Sequence, residues 1–327
     1  FITIMTKSKS YQAALEGAAY FVQPQAGFLR LTDSGRVDFF QRQTTNDLHQ
    51  LSADRVVSTV LTSPIARIID VFSIFEERGS LGVISLPGRA AETVKFLRTR
   101  IFFTDKVHVD DISDDIVQVR LVGPQINNIL EKLGIQTPAP ESLIRWELAG
   151  TLVTVIGQET LAGVKYRFVA PATASKAISD ALGAAGAVSL DAETFEILRV
   201  EAGQPGWQGE LVNSYTPLEV GLGEFVSDSK GCYTGQEVIA RQITYDKVTK
   251  NLVGVKLDSP AAVGAKLNAD GKSVGTLTSA ANSPRFGLIG LAVVRRQYAE
   301  IGTKLSVVSN EASIITGEIL SLPFSQP

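Results

Sequence analysis

Hydrophobic and polar positions follow two regimes along the chain, with the change near Lys250. Up to that point, apolar runs of strand length alternate with segments whose apolar residues recur at helical spacing. Val56–Thr62 and Ile68–Phe75 read as strands, and Ser63-Pro64 supplies the turn signal between them. Arg89–Arg100 has the period of an amphipathic helix, and Ile116–Val122 returns to strand. Pro124 and Gly134 bracket a short helix, proline first and glycine last. Thr137-Pro138-Ala139-Pro140 reads as an extended linker. Strands are predicted at Leu152–Ile156 and Val164–Val169, then helices at Ala172–Leu182 and Ala192–Glu201. The last of these has Asp191 as N-cap and Gly203 just past its end. Beyond Lys250 the runs are short and apolar: Leu252–Leu257, Val274–Thr278, Leu288–Val294, Lys304–Val308 and Ser313–Leu320. Gly, Asp, Asn and Pro separate them, which predicts a small all-β barrel.

Length and composition narrow the class. At 327 residues, 44% of them hydrophobic and 20% charged, the chain has core enough for two or three domains. The change of regime divides it into an α+β region over 1–248 and a barrel over 249–327. A net charge of −3, with no basic block beyond Arg295-Arg296, argues against a nucleic-acid partner. The longest clean apolar run near the C-terminus, Leu288 to Val294, is far too short to span a membrane, so no membrane partner is expected. One cysteine excludes an internal disulfide. The two histidines, His49 and His108, stand in no ligand pattern, so no metal site is expected. From Met5 onward the sequence has neither a signal core nor an Arg-rich transit helix, and the expected location is the cytoplasm.

The single cysteine falls in Lys230-Gly231-Cys232-Tyr233-Thr234-Gly235-Gln236-Glu237. Thr234 and Glu237 fit a T-x-x-E capping box at the start of a helix that continues to Tyr245. Cys232 would then stand just before free backbone N–H groups and beside Lys230. Both favour a thiolate and would lower its pKa from about 8.5 toward neutrality. The alternative is an inert core thiol, since cysteine is among the most buried residue types.

The octapeptide resembles the signature of the YgfZ-type folate-binding proteins, relatives of the glycine-cleavage aminomethyltransferase. Other elements agree in order. Gln43-Thr44-Thr45-Asn46-Asp47 resembles the T-N-D element, and Leu61 to Asp70 the G-R-I-x-D hairpin. Arg199-Val200-Glu201-Ala202-Gly203 resembles R-x-E-A-G, and Pro217 to Leu222 resembles P-x-E-x-G-L. Val274 to Ser279 with Ser283-Pro284 resembles the G-x-x-T-S…S-P stretch of the last domain. The matches run from about Gly27 to Phe324, nearly the whole chain.

That resemblance implies an α+β fold of GcvT-like folate-binding domains in a compact ring, followed by a C-terminal β-barrel. It implies tetrahydrofolate, or a one-carbon derivative, as the bound small molecule, and iron–sulfur client or assembly proteins as partners. Cys232 and Asp70 are the candidate catalytic residues, Asp70 because the matching hairpin carries the catalytic aspartate of the aminomethyltransferases. Asn46, Phe195, Arg199, Lys230 and Tyr233 are the candidate ligand-binding residues. Phe195 and Arg199, four apart on one helix face, suit a ring and a carboxylate, or else core packing and a local ion pair. Asn46 suits the pterin edge or a helix cap. Two departures from the aminomethyltransferase pattern stand out. Val71 replaces a second aspartate, and Lys165 stands where a pterin-binding carboxylate is found. Both weaken the reading as the glycine-cleavage enzyme, and the function that the YgfZ-type resemblance implies is tetrahydrofolate binding with assistance in iron–sulfur cluster assembly or repair. The rivals are a tetrahydrofolate-dependent aminomethyl or methyl transferase and a non-catalytic folate-responsive scaffold.

Overall fold

Two antiparallel-rich sheets and a barrel account for most of the ordered backbone in the computed structural model, which describes residues 9–159, 163, 165–308 and 314–325. Met5, Val164 and Ser313, on which parts of the sequence reading rest, lie outside these residues. One sheet has five strands in the order β3 (Val56–Thr62), β4 (Ile68–Glu77), β5 (Ser80–Ser85), β2 (Gly27–Thr32) and β6 (His108–Asp111). Helices α2 (Arg36–Gln43) and α3 (Ala90–Arg98) cover one of its faces. The other sheet has six strands in the order β11 (Val188–Ser189), β1 (Ala19–Val22), β7 (Ile116–Val122), β10 (Lys165–Pro171), β9 (Thr151–Gln158) and β8 (Ser142–Leu148). Its outer face packs on α4 (Ile126–Lys132) and α5 (Ser175–Ala185). Strands β12 (Lys250–Leu257), β15 (Gly287–Arg295), β14 (Lys272–Ser283), β13 (Lys266–Ala269), β16 (Lys304–Val308) and β17 (Ile314–Leu320) close a six-stranded antiparallel barrel. The remaining helices are α1 (Lys9–Glu16), α6 (Ala192–Glu201) and α7 (Gln236–Thr244).

The β3–β4 hairpin, β7, α6 and the barrel appear as the apolar pattern predicts. Asp191 does cap α6, its carboxylate accepting the Thr194 N–H at 2.7 Å. One prediction fails. Helix α7 starts from Gly235 in the left-handed region (φ +88°), with no side-chain cap. Glu237 is thereby the second helical residue instead of the third, one place short of a capping box, and it pairs with Arg241 at 3.6 Å.

The three units close on one another as a ring. Between the sheets, Phe28, Val56, Phe75 and Ile84 meet Leu143, Ile156 and Val169. Val60 and Ile68 of the hairpin meet Leu211, Tyr215, Val220 and Leu222 of the connecting segment and Val293 of the barrel. Helix α6 completes the circuit: Phe195 packs toward β1, while Val200 packs on Ile289, Leu291 and Phe324. The apolar contacts between the sheets occupy only part of their facing surfaces. The rest of that interface is polar, and it positions the candidate site.

Candidate functional site

The cysteine loop is built by clamping its neighbours and leaving Cys232 outside. The Lys230 ammonium, 9% exposed, donates to three carbonyls: Gln41 at 2.8 Å, Thr44 at 2.8 Å and Asn46 at 2.6 Å. It also lies 5.3 Å from the Tyr233 ring centroid. Burial pulls Lys230 down from 10.5 to about 8, partly offset by Asp47. Tyr233 is buried against Ala66 and Ile239, which raises its phenol to about 12. On the other side, the Thr62 hydroxyl donates to the Thr234 carbonyl at 2.6 Å. A Cβ on Gly235 would fall 2.7 Å from the Ser63 carbonyl oxygen, so both this approach and its positive φ require glycine. Cys232 itself is exposed. The core-thiol alternative therefore fails, and so does one expected source of activation, because Lys230 points into the carbonyls of the T-N-D segment.

The hairpin separates the two acidic-pattern positions. Asp70 is fully buried on the α3 side of its sheet, accepting from Thr93 Oγ1 at 2.6 Å and from the N–H groups of Leu86 and Val71 at 3.0 and 2.8 Å. Val71, half-buried, lies on the opposite face with Ser73 and Phe75; Phe75 meets the second sheet, while Val71 packs in the cluster of Val60, Leu211, Tyr215 and Val293. Burial raises the Asp70 carboxyl from 3.8 to about 6 against those hydrogen bonds and the charge of Arg89. Between these values the unfolded chain has released the proton and the folded one keeps it, so this group's contribution to stability falls as pH rises from about 4 to about 6. Asp70→Asn is expected to remove that slope with little loss of stability. Asp70→Ala leaves two N–H groups and a hydroxyl unpaired and should cost about 3 kcal/mol or more. Urea unfolding of the three proteins between pH 4 and 7 checks both outcomes.

The polar part of the inter-sheet gap carries cations. Arg120 on β7 and Arg167 on β10 are direct cross-strand partners, and Lys165 lies two residues before Arg167 on the same face. Burial lowers all three, Lys165 to about 8 and Arg120 to about 10. Lys165 donates to Gln204 Oε1 at 3.1 Å, and Arg167 to Gln118 Oε1 at 3.2 Å. Arg120 sits 5.5 Å from the Phe195 ring centroid, and Phe195 stacks on Phe21 at 4.1 Å. From the facing sheet, Ser73 Oγ accepts from Gln158 Nε2 at 3.1 Å, and Ser58 Oγ donates to Glu141 at 3.0 Å.

The expected binding residues fall into two groups. Asn46 joins the cysteine loop: its carbonyl accepts from Lys230, its amide donates to the Ser58 carbonyl at 2.8 Å, and its Oδ1 accepts the Asp47 N–H. The helix cap there is Asp47, which accepts from His49. Phe195 reaches the gap. Arg199 does not; it pairs with Glu196 and with Glu210 at 3.4 Å, and donates to Ser279 Oγ at 2.6 Å and the Gln204 carbonyl at 2.5 Å. Sequence reasoning passed over Arg120, Arg167 and Gln118. The available signal was period-2 polarity, Gln118-x-Arg120 and Lys165-x-Arg167, inside strands otherwise apolar.

Comparison with known proteins agrees with this architecture. Residues 9–230 match the family model described as the GCVT N-terminal domain, and residues 250–326 match the glycine cleavage T-protein C-terminal barrel domain. A chloroplastic protein of Arabidopsis thaliana, whose name makes it a candidate transferase, is 30% identical over 89% of this chain and 68% of its own length. An aminomethyltransferase of Caldanaerobacter subterraneus is 26% identical, covering 91% of this chain and 82% of the relative. The crystal structure of glycine cleavage system aminomethyltransferase T from Bartonella henselae superposes with a TM-score of 0.83 at 18% identity, over 97% of this chain and 89% of that one.

Proposed function

The chain belongs to the glycine cleavage T-protein family, and on that premise we propose that it is a YgfZ-type member, binding a reduced folate and assisting iron–sulfur cluster assembly or repair through Cys232. The observation that carries this reading is the construction of the cysteine loop. Buried Lys230 and Tyr233 and the close-packed Gly235 fix the backbone on both sides of one exposed thiol. A loop fastened this way presents the sulfur to a partner protein at little ordering cost. A thiol so placed suits a ligand shared with a client or a group that meets a partner's cluster.

The gap between the sheets supports a folate in part. The stacked Phe21 and Phe195 offer an aromatic face, and Arg120 and Lys165 offer charge to the carboxylates of a glutamate tail. Tetrahydrofolate, when bound, supplies one-carbon chemistry. These residues would hold and orient it. What the chain does not offer is the acidic pair of the transferase pattern: Val71 stands where a second aspartate is expected, and Lys165 replaces a carboxylate. This favours the assembly role over aminomethyl transfer.

The test is functional. Cys232→Ser should leave melting temperature unchanged, because the side chain is exposed and the change almost isosteric. In cells lacking the protein, the variant should fail to restore the activity of iron–sulfur enzymes that the wild type restores. Full restoration by Cys232→Ser would remove the thiol from the mechanism.

A further inference from the structure

Arg120 and Arg167 face one another directly across β7 and β10. Like charges in such a pair are destabilising, and here Arg167 is buried and Arg120 half-buried. Lys165 adds a third positive charge on the same face, and Arg120 lowers both Lys165 and Arg167. None of the three makes an ion pair with a carboxylate of any described residue. Glu141 is near enough for Arg167 to feel its charge but bonds Ser58 instead. The guanidinium Nε atoms of Arg120 and Arg167 are both buried and unpaired, and Arg120 has no hydrogen-bond partner among the described residues. Arg167 is 9% exposed. Buried polar groups are nearly always satisfied, and buried charges are nearly always paired. Three cations without a carboxylate partner, two of them with an unpaired buried Nε, make a cluster built to be completed by something anionic.

We propose that this cluster binds a multiply charged oxyanion group, with Arg120, Lys165 and Arg167 as its ligands and the face of Phe195 packing the ring attached to it. Guanidinium forks suit carboxylate and phosphate oxygens, and the low-dielectric surroundings strengthen each such bond. The inference rests on the reading of the gap as the ligand site and specifies its polarity. The charged tail of a pteroyl ligand points inward, toward the cations. The N–H edge of the pterin, which wants an acceptor, does not enter this patch.

Two sources of the oxyanion are separable by calorimetry on the full chain. The probes are tetrahydropteroyl-triglutamate, tetrahydrofolate, tetrahydropteroate lacking any glutamate, and inorganic pyrophosphate. Affinity should rise with the number of carboxylates, with tetrahydropteroate at least tenfold weaker than tetrahydrofolate. Arg120→Met should weaken tetrahydrofolate at least tenfold and yet raise the melting temperature, since it removes a half-buried charge with no ion-pair partner among the described residues. Arg167→Met should act in the same direction and guards against a folding defect in one variant. Equal binding of tetrahydropteroate and the triglutamate, or unchanged affinity in both variants, would overturn the inference while leaving the folate reading intact. Binding of pyrophosphate alone would uphold the oxyanion site and end the folate reading. Binding of none of the four would end both.

Discussion

Replacing Lys230 with methionine should cost roughly 3–5 kcal/mol of stability and release the cysteine loop from the T-N-D segment. The aliphatic stem is kept, so the loss is that of the ammonium and its three bonds to the carbonyls of Gln41, Thr44 and Asn46. Hydrogen bonds from a charged donor contribute about 1.5–3 kcal/mol each, and here three acceptors are left without it at once. Removal of a buried cation that itself costs desolvation offsets part of this, which is why the total is smaller than three full bonds. Hydrogen exchange should show faster opening of residues 41–46 and 228–236 together, because one side chain ties the two segments. Unchanged exchange in either segment would show that the hairpin contacts around Thr62 and Gly235 suffice to hold the loop.

Arg199→Met is expected to destabilise the protein by roughly 3–5 kcal/mol while leaving the affinity for tetrahydrofolate within a factor of two. Glu210 has no exposed surface, and in the variant its carboxylate keeps the Gly206 N–H and Ser279 hydroxyl but loses its cation. Truncating one partner of such a buried pair typically costs about this much. The same guanidinium joins α6 to β14 through Ser279, so the loss should appear as weaker docking of the barrel. Adding Glu210→Met should recover part of the stability, since the orphaned carboxylate goes with it. Urea denaturation of the single and double variants reads this directly. A tenfold loss of folate affinity with stability intact would return Arg199 to the binding site.

These outcomes show where sequence patterning carried the account and where it stopped. Strands such as Ile116–Val122 and the helix from Ala192 announce themselves because one face is apolar at a fixed period and the caps are explicit. Strand β5, Ser-Leu-Gly-Val-Ile-Ser, was passed over because serine and glycine interrupt it. Its Gly82 is dictated from outside the strand: the rings of Phe75 and Phe28 occupy the space a Cβ would need, at 2.7 and 3.0 Å. Strand β13 is four residues long and begins with Lys266, too short to show a period. At the site, Cys232 and Lys230 were legible as a motif, but the direction of the lysine was not. Its three acceptors lie more than 180 residues away in sequence. The pairing of Arg120 with Arg167 is a matter of register between strands, which neither strand reveals alone.

The central claim is a folate-family protein whose gap lacks the acidic chemistry of aminomethyl transfer. It is tested most directly by offering the purified wild-type protein tetrahydrofolate together with an aminomethyl-lipoyl carrier and following both binding and turnover. The account predicts saturable tetrahydrofolate binding with no release of ammonia or of a methylene-folate product. General acid–base groups typically supply about 10²–10⁴-fold in rate, and Val71 and Lys165 replace two acidic features of the aminomethyltransferase pattern, a second hairpin aspartate and a pterin-binding carboxylate. Sustained turnover of the carrier, or no binding at millimolar folate, would contradict it.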